Sequence, residues 1–395
     1  MISLVGGLVL WVLCLVGHGH LLVAVAMYWV FRLGDRPLRT VWLLANAILW
    51  FALAGVTLTQ RGFPEFWVGP PGDGTLWVQG LWLWQWVSTA LGGYVVVRRV
   101  HRRARGPETV AAVGSSSTHR RHLDPATMRT PWWRLSVRGG LGTLEVSEYT
   151  LRIEGLPEAL DGLLIAHVSD LHAGREIARR LADVVREEVV ASGADVVLMT
   201  GDFVGPDGTL DGAAELAGEF RAPLGVYAVL GNHDFRLDAD EVTTALQAHG
   251  VTVLRNRGLR LRPAGATTGP GLWLAGVDDF WSDDPDLAAA LAGREPGEPC
   301  VLLAHNPDQI MGAAEAGVDL QLSGHTHGGQ IAPAVTGPLF VPSRHGLRFA
   351  EGLHQVGRAL VYVSRGVAGG PAVRIGAKPE LALLRLAASE LHHEQ

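Results

Sequence analysis

A chain of 395 residues, 48% of them apolar, has room for one to three domains. Its net charge of −6 is split: residues 1–139 carry 14 arginines and 5 acids, residues 140–395 carry 19 basic and 34 acidic groups. The acidic second half argues against a nucleic-acid-binding surface, and the two cysteines, Cys14 and Cys300, leave no disulfide framework or zinc–thiolate set.

In chain order, residues 2–31 are apolar apart from His18 and His20, long enough to cross a bilayer, which takes roughly 20 apolar residues. Further spans are expected at 41–58 and 76–97, the last carrying Trp77, Trp82, Trp84 and Trp86. Two more spans and the lack of a basic start speak against a cleaved signal peptide. Arg32, Arg36 and Arg39 follow the first span, and Arg98, Arg99, Arg102, Arg103 and Arg105 follow the third. Three spans place both clusters on one side, so the arginine bias predicts a multi-pass cell-membrane protein with an outside N-terminus and a cytoplasmic remainder. His18 and His20 read as a helix break or an interfacial pair rather than a relay. The expected organisation is a transmembrane region over 1–99, a polar, Arg-rich, weakly structured linker over 100–143, and a folded domain over 144–395.

Within that domain short apolar runs alternate with helical spacing. Strands are expected at 163–168, 196–199 and 226–230, and helices at 177–190, 213–220 and 241–248. Later runs at 272–277, 301–304, 320–322, 360–363 and 381–386 come with fewer helices. The pattern predicts an α/β fold with a second, partly antiparallel sheet.

The polar residues of interest follow these runs: Asp170 and His172, Asp202, Asn232 with His233 and Asp234, His305, and His325 with His327. Open α/β sheets bind ligands beyond the carboxyl ends of strands. Residues two apart on extended backbone point to one side, which would pair Asp170 with His172 and His325 with His327. Gly201, Gly231 and Gly324 precede ligands where tight turns suit a small residue. Carboxylate, amide and imidazole donors without thiolates suit two divalent or trivalent ions (manganese, iron, zinc or magnesium). Two such ions clamp the attacking and leaving oxygens of a phosphoryl displacement and acidify a bound water. Asp202, standing alone between the other groups, is the natural bridge. Each residue by itself is as readily a turn, a cap or a core histidine. All of them at converging strand ends are costly to explain without metal.

At Asp170-x-His172, Gly201-Asp202, Gly231-Asn232-His233-Asp234, His305 and Gly324-His325-x-His327 the chain resembles the calcineurin-like metallophosphoesterases. The stretch Ser323-Gly324-His325-Thr-His327-Gly-Gly-Gln330 and the later Tyr362-Val-Ser-Arg365-Gly366 look closest to a bacterial membrane-associated branch. The resemblance implies a four-layer α/β/β/α sandwich, here preceded by the transmembrane helices. It assigns Asp170, His172 and His327 to one ion, Asn232, His305 and His325 to the other, and Asp202 to both. His233 becomes the acid for the leaving group, oriented by Asp234, with metal-bound hydroxide as the nucleophile. Arg365 and Arg374 are candidates for holding substrate phosphate, and Asp278 and Asp279 are read as surface turn acids. The expected activity is membrane-anchored phosphodiester hydrolysis, with a lipid-linked phosphate favoured by proximity to the bilayer. Phosphomonoesterase, cyclic-nucleotide phosphodiesterase and non-catalytic membrane sensor are the alternatives.

Overall fold

The computed structural model describes residues 113–122, 142–205, 207–330, 341–369 and 374–389, with isolated positions at 83, 86, 87, 89, 90, 92–94, 97, 332, 337 and 338. The chain divides into two compact units, Met1–Pro107 with Val335–Phe340, and Glu108–Ala334 with Val341–Gln395. In the first unit the described positions between 83 and 97 are helical. The first two expected spans, His18 and His20 lie outside the described residues, as does most of the third span. Among the described residues no helix is long and apolar enough to cross a membrane.

The second unit holds two sheets. The first has seven strands in the order β1-β2-β13-β3-β4-β5-β6: β1 (Val113–His122), β2 (Thr143–Ile153), β3 (Leu164–Val168), β4 (Val196–Thr200), β5 (Val226–Val229), β6 (Thr252–Val253) and β13 (Glu380–Ala388). Strands β3 to β6 run parallel, with β13 antiparallel to β3. The second sheet has the order β11-β12-β10-β9-β8-β7: β7 (Arg257–Leu261), β8 (Leu272–Gly276), β9 (Cys300–Leu303), β10 (Leu320–Ser323), β11 (Gly352–Val356) and β12 (Ala359–Val363). It is parallel in the middle and antiparallel at both edges.

Strand alternation sorts side chains into three cores. On β4, Val197 and Met199 face helices α1 (Glu176–Ser192), α2 (Leu210–Gly218) and α3 (Ala239–Ala248), while Val196 and Leu198 face the other sheet. On β9, Val301 and Leu303 join that inter-sheet core, while Cys300 and Leu302 pack with α4 (Leu287–Leu291) and α5 (Ile310–Glu315). Helices, sheet, sheet and helices therefore follow one another across the three cores. Helix α1 forms because Ala178, Leu181, Ala182, Val185 and Val189 recur at helical spacing on its buried face, and Gly193 ends it at φ +66°. Side-chain caps from Thr209 and Asp238 start α2 and α3.

The expected linker over 100–143 needs correction. Residues 113–122 form an edge strand paired along its length with β2. The segment has no apolar alternation because nine of its ten residues are exposed. It is held by the backbone ladder and by ion pairs such as Arg120–Glu145 at 2.8 Å and Arg121–Glu188 at 2.7 Å. A strand stabilised that way leaves no periodic signature.

Candidate metal centre

Five strands deliver the candidate ligands beyond their carboxyl ends: β3 carries Asp170 and His172, β4 Asp202, β5 Asn232, β9 His305, and β10 His325 and His327. Both sheets thus contribute to one site. The backbone there is not extended, contrary to expectation. Asp170, His172, Asp202, His325 and His327 all have positive φ, at 55°, 42°, 57°, 70° and 51°. Each such residue costs on the order of 1–3 kcal/mol and persists only where its surroundings hold it. The holding bonds run between loops: Asp170 N–H to Gly201 O at 3.0 Å, His172 N–H to Asp202 O at 3.0 Å, and Ala368 N–H to Asp170 O at 2.9 Å. Gly201 does sit in a left-handed turn, at φ +83°. Gly324 serves closeness instead, since a Cβ there would overlap Ser169 Oγ and Asp170 Oδ2.

The side chains form two adjoining groups. In one, His172 Nε2 lies 3.3 Å from His327 Nε2, and His327 Nε2 lies 3.5 Å from Asp170 Oδ1. In the other, Asn232 Oδ1 lies 2.8 Å from His325 Nδ1 and 3.3 Å from His305 Nε2. Asp202 stands between them, with Oδ2 3.5 Å from His172 Nε2 and Oδ1 3.6 Å from His305 Nε2. The donor set fits metal. Asp170, His172, Asp202 and His327 offer ligand atoms within 4.8 Å of one another. Asp170 Oδ1 is buried without a hydrogen-bond donor among the described residues, an arrangement that is costly unless a cation completes it.

The electrostatics agree. Burial drives the Asp202 carboxyl up to about 8, with Asp170 and Asp234 adding repulsion. Burial also raises Asp170. It pushes the imidazoles of His172, His325 and His327 well below their usual value, leaving neutral nitrogen lone pairs. At His305 burial works the same way, but the carboxylates of Asp202, Asp170 and Asp279 outweigh it and lift the ring to about 9.

The upward shifts of Asp202 and His305 have the same consequence for stability. Folded Asp202 keeps a proton that the unfolded chain releases near 3.8, so stability falls as pH rises from there through about 8. His305 contributes stability below 6.5 and loses it as pH rises through about 9. Metal-free protein should therefore melt at falling temperatures between pH 6.5 and 9. Manganese should remove most of that slope by taking the place of the protons. Calorimetry with and without chelator reads both, and a flat metal-free profile would contradict the buried-charge account.

The other sequence candidates are placed differently. His233 lies at the site, its ring 4.8 Å from that of His172 and its backbone N–H donating to Asp202 Oδ1 at 2.8 Å. Asp234 is placed under the loops of the site. Its carboxylate accepts the backbone N–H groups of Asp202, Phe203, Val204 and Gly231, and Arg236 Nη1 donates to His233 Nδ1 at 3.0 Å. Asp234 thus shapes the loop that carries Asp202. Arg365 is bound by glutamates, with Nη2 3.0 Å from both Glu145 and Glu380, and Nη1 3.3 Å from Glu351. Arg374 is fully buried, donating to the carbonyls of Gly366 and Ala368, and lies 3.4 Å from His327 Nδ1. Arg365 has its donors engaged inside the fold, on these glutamates and the Lys378 carbonyl, whereas Arg374 keeps a buried Nε without a partner among the described residues. Asp278 and Asp279 are buried as well. Asp278 clamps Arg255 at 2.8 Å, and Asp279 caps the turn through Trp281 N–H at 3.1 Å.

Three neighbours of the site carry no motif signal. Trp281 sets its ring 4.9 Å from that of His325, and Ser169 and Thr200 bond to ligands from behind. Ser169 and Thr200 each stand within two residues of a ligand at a strand end, the one feature that points to them.

Comparison with known proteins places this geometry. The sequence model of one family, calcineurin-like phosphoesterase, matches residues 163–329. The chain is 32% identical over 248 residues to the uncharacterized metallophosphoesterase YkuE of Bacillus subtilis (strain 168), covering 62% of this chain and 85% of that one. It is 34% identical over 298 residues to the Bos taurus transmembrane protein with metallophosphoesterase domain, covering 70% of this chain and 66% of the other. Against phosphodiesterase YaeI of Escherichia coli (strain K12) it is 30% identical over 229 residues, covering 56% and 81%.

Proposed function

This chain belongs to the calcineurin-like metallophosphoesterases, which are metal-dependent phosphoester hydrolases, and from that premise we propose that it cleaves phosphodiesters at two ions. Asp170, His172 and His327 hold one ion, Asn232, His305 and His325 hold the other, and Asp202 holds both. The observation that carries this reading is the division of Asp202, whose two oxygens face the two groups. When bound, the ions supply positive charge for the phosphate oxygens and an acidified water. The chain's own residues do the rest. The strand ends fix the donors, and His233 at the rim gives a proton to the departing alkoxide. A diester reading is supported by the name of one relative, a phosphodiesterase.

The protein is membrane-anchored in this proposal, with spans over 1–99 and the catalytic unit on the cytoplasmic side. Support comes from the apolar runs, the arginine distribution and the name of the bovine relative, a transmembrane protein with metallophosphoesterase domain. A substrate phosphate linked to lipid follows from that location.

One experiment tests the set: hydrolysis of bis-p-nitrophenyl phosphate and p-nitrophenyl phosphate by the full-length protein, with chelator and then with manganese. The diester should be cleaved faster, and only with metal. Activity should sediment with carbonate-washed membranes and appear in inside-out vesicles before lysis. Preference for the monoester, or activity released by the wash, would overturn the corresponding part.

A further inference from the structure

His167 is a fully buried histidine that the proposed chemistry does not use. It sits on β3, its ring edge toward Tyr362 with 6.0 Å between centroids. Its Nε2 lies 2.8 Å from Thr200 Oγ1, Thr200 Oγ1 lies 2.8 Å from Ser169 Oγ, and Ser169 Oγ lies 2.6 Å from Asp170 Oδ2. Four side chains from two adjacent strands thus form one buried line ending on a candidate metal ligand. A second bond leaves Thr200 the other way: its carbonyl accepts from His305 Nδ1 at 2.6 Å.

Counting hydrogens fixes the direction of every bond. With a cation held at Oδ1 the Asp170 carboxylate is ionised and only accepts, so the Ser169 hydroxyl donates to it. Ser169 Oγ also lies 3.3 Å from Thr200 O, but the carboxylate is nearer and charged, and it takes the proton. The Ser169 proton being spent, Thr200 must donate to Ser169. The Thr200 proton being spent in turn, His167 must donate from Nε2. That leaves His167 Nδ1 bare, and it has no partner among the described residues. Burial keeps this ring neutral by holding its pKa down at about 3. On the other arm a carbonyl can only accept, so His305 carries a hydrogen on Nδ1, and Nε2, beside Asp202 and Asn232, is the atom that would give up its proton to face an ion.

We propose that Thr200 is a positioning residue for both halves of the metal centre, its hydroxyl fixing Asp170 through Ser169 with His167 at the head of the line, and its carbonyl fixing His305. The proposal rests on the reading of Asp170 and His305 as metal ligands. With Oδ2 engaged by Ser169 and by the His325 backbone N–H at 3.2 Å, Asp170 keeps Oδ1 for the ion. Partners behind the ligands commonly change metal affinity 10–100-fold. The arms are separable, because Thr200→Val removes the hydroxyl and keeps the carbonyl.

The test is manganese binding by full-length wild type, Thr200→Val and Thr200→Ser, with the melting temperature of each metal-free protein as a control for folding. Wild type should bind two ions. Thr200→Val should keep one at wild-type affinity and lose the other by 10–100-fold, and Thr200→Ser should restore it. Nitrogen-15 NMR of the zinc-loaded wild type, with histidine labelled, should show His167 protonated at Nε2 and bare at Nδ1. Two tightly held ions in Thr200→Val, or a zinc-loaded His167 protonated at Nδ1, would overturn the proposal. Should Thr200→Val fail to fold, the His167 tautomer decides alone. Wild type that binds no manganese would instead bring down the metal-centre reading.

Discussion

Asp202→Asn should remove both ions together and lower diester hydrolysis by at least about a thousandfold, roughly 4 kcal/mol of barrier. Asp202 is the one side chain whose two oxygens address both ligand groups, 3.5 Å from His172 Nε2 and 3.6 Å from His305 Nε2. An amide keeps the bond from His233 N–H but puts an NH2 group where an oxygen faced a cation. The fold should survive. Burial already drives this carboxyl up to about 8, so a neutral group suits the metal-free protein better than the charge does. The measurement is metal content per chain beside the melting temperature without metal. A variant that retains one ion at full affinity would show that Asp202 does not serve both groups.

His233→Ala should separate binding from chemistry. What His233 gives to the ligand cluster is its backbone N–H to Asp202 Oδ1 at 2.8 Å, which alanine retains, so both ions should stay. Losing a general acid costs typically 10²–10⁴-fold, and the loss should depend on the leaving group. A p-nitrophenolate departs without help, whereas an alkoxide needs a proton. The variant should be nearly as active as wild type on bis-p-nitrophenyl phosphate and fall by about a hundredfold or more on alkyl esters. An equal loss on both substrates would assign His233 to holding phosphate instead.

The two variants rest on parts of the site that differed in legibility. Asp202 and His233 were recognisable as chemistry-bearing residues because each follows an apolar run and a glycine or amide in a familiar arrangement. The role of Asp234 was not, since its acceptors are taken by backbone N–H groups at 202–204, some 30 residues away. Arg365 misled for a related reason. A guanidinium near ligand motifs suits phosphate, but Glu145, Glu351 and Glu380 reach it only once β2, β12 and β13 are assembled. The edge strand at 113–122 was read as linker because pairing with β2, rather than burial, holds it.

From sequence alone came the alternation of strands and helices, the second sheet antiparallel in part, and the identity of the seven side chains that meet at the site. These are legible because apolar periodicity and ligand chemistry reside in residues close together along the chain. Tertiary structure decided how those side chains are held. The left-handed backbone at five of them, the close approach of Gly324 to Asp170, the bond from His325 N–H to Asp170 across 155 residues, and the line from His167 to Asp170 all depend on strands brought together by folding. Strain and close approach are set by what lies on the other side of a contact, and no local stretch of sequence carries that partner with it.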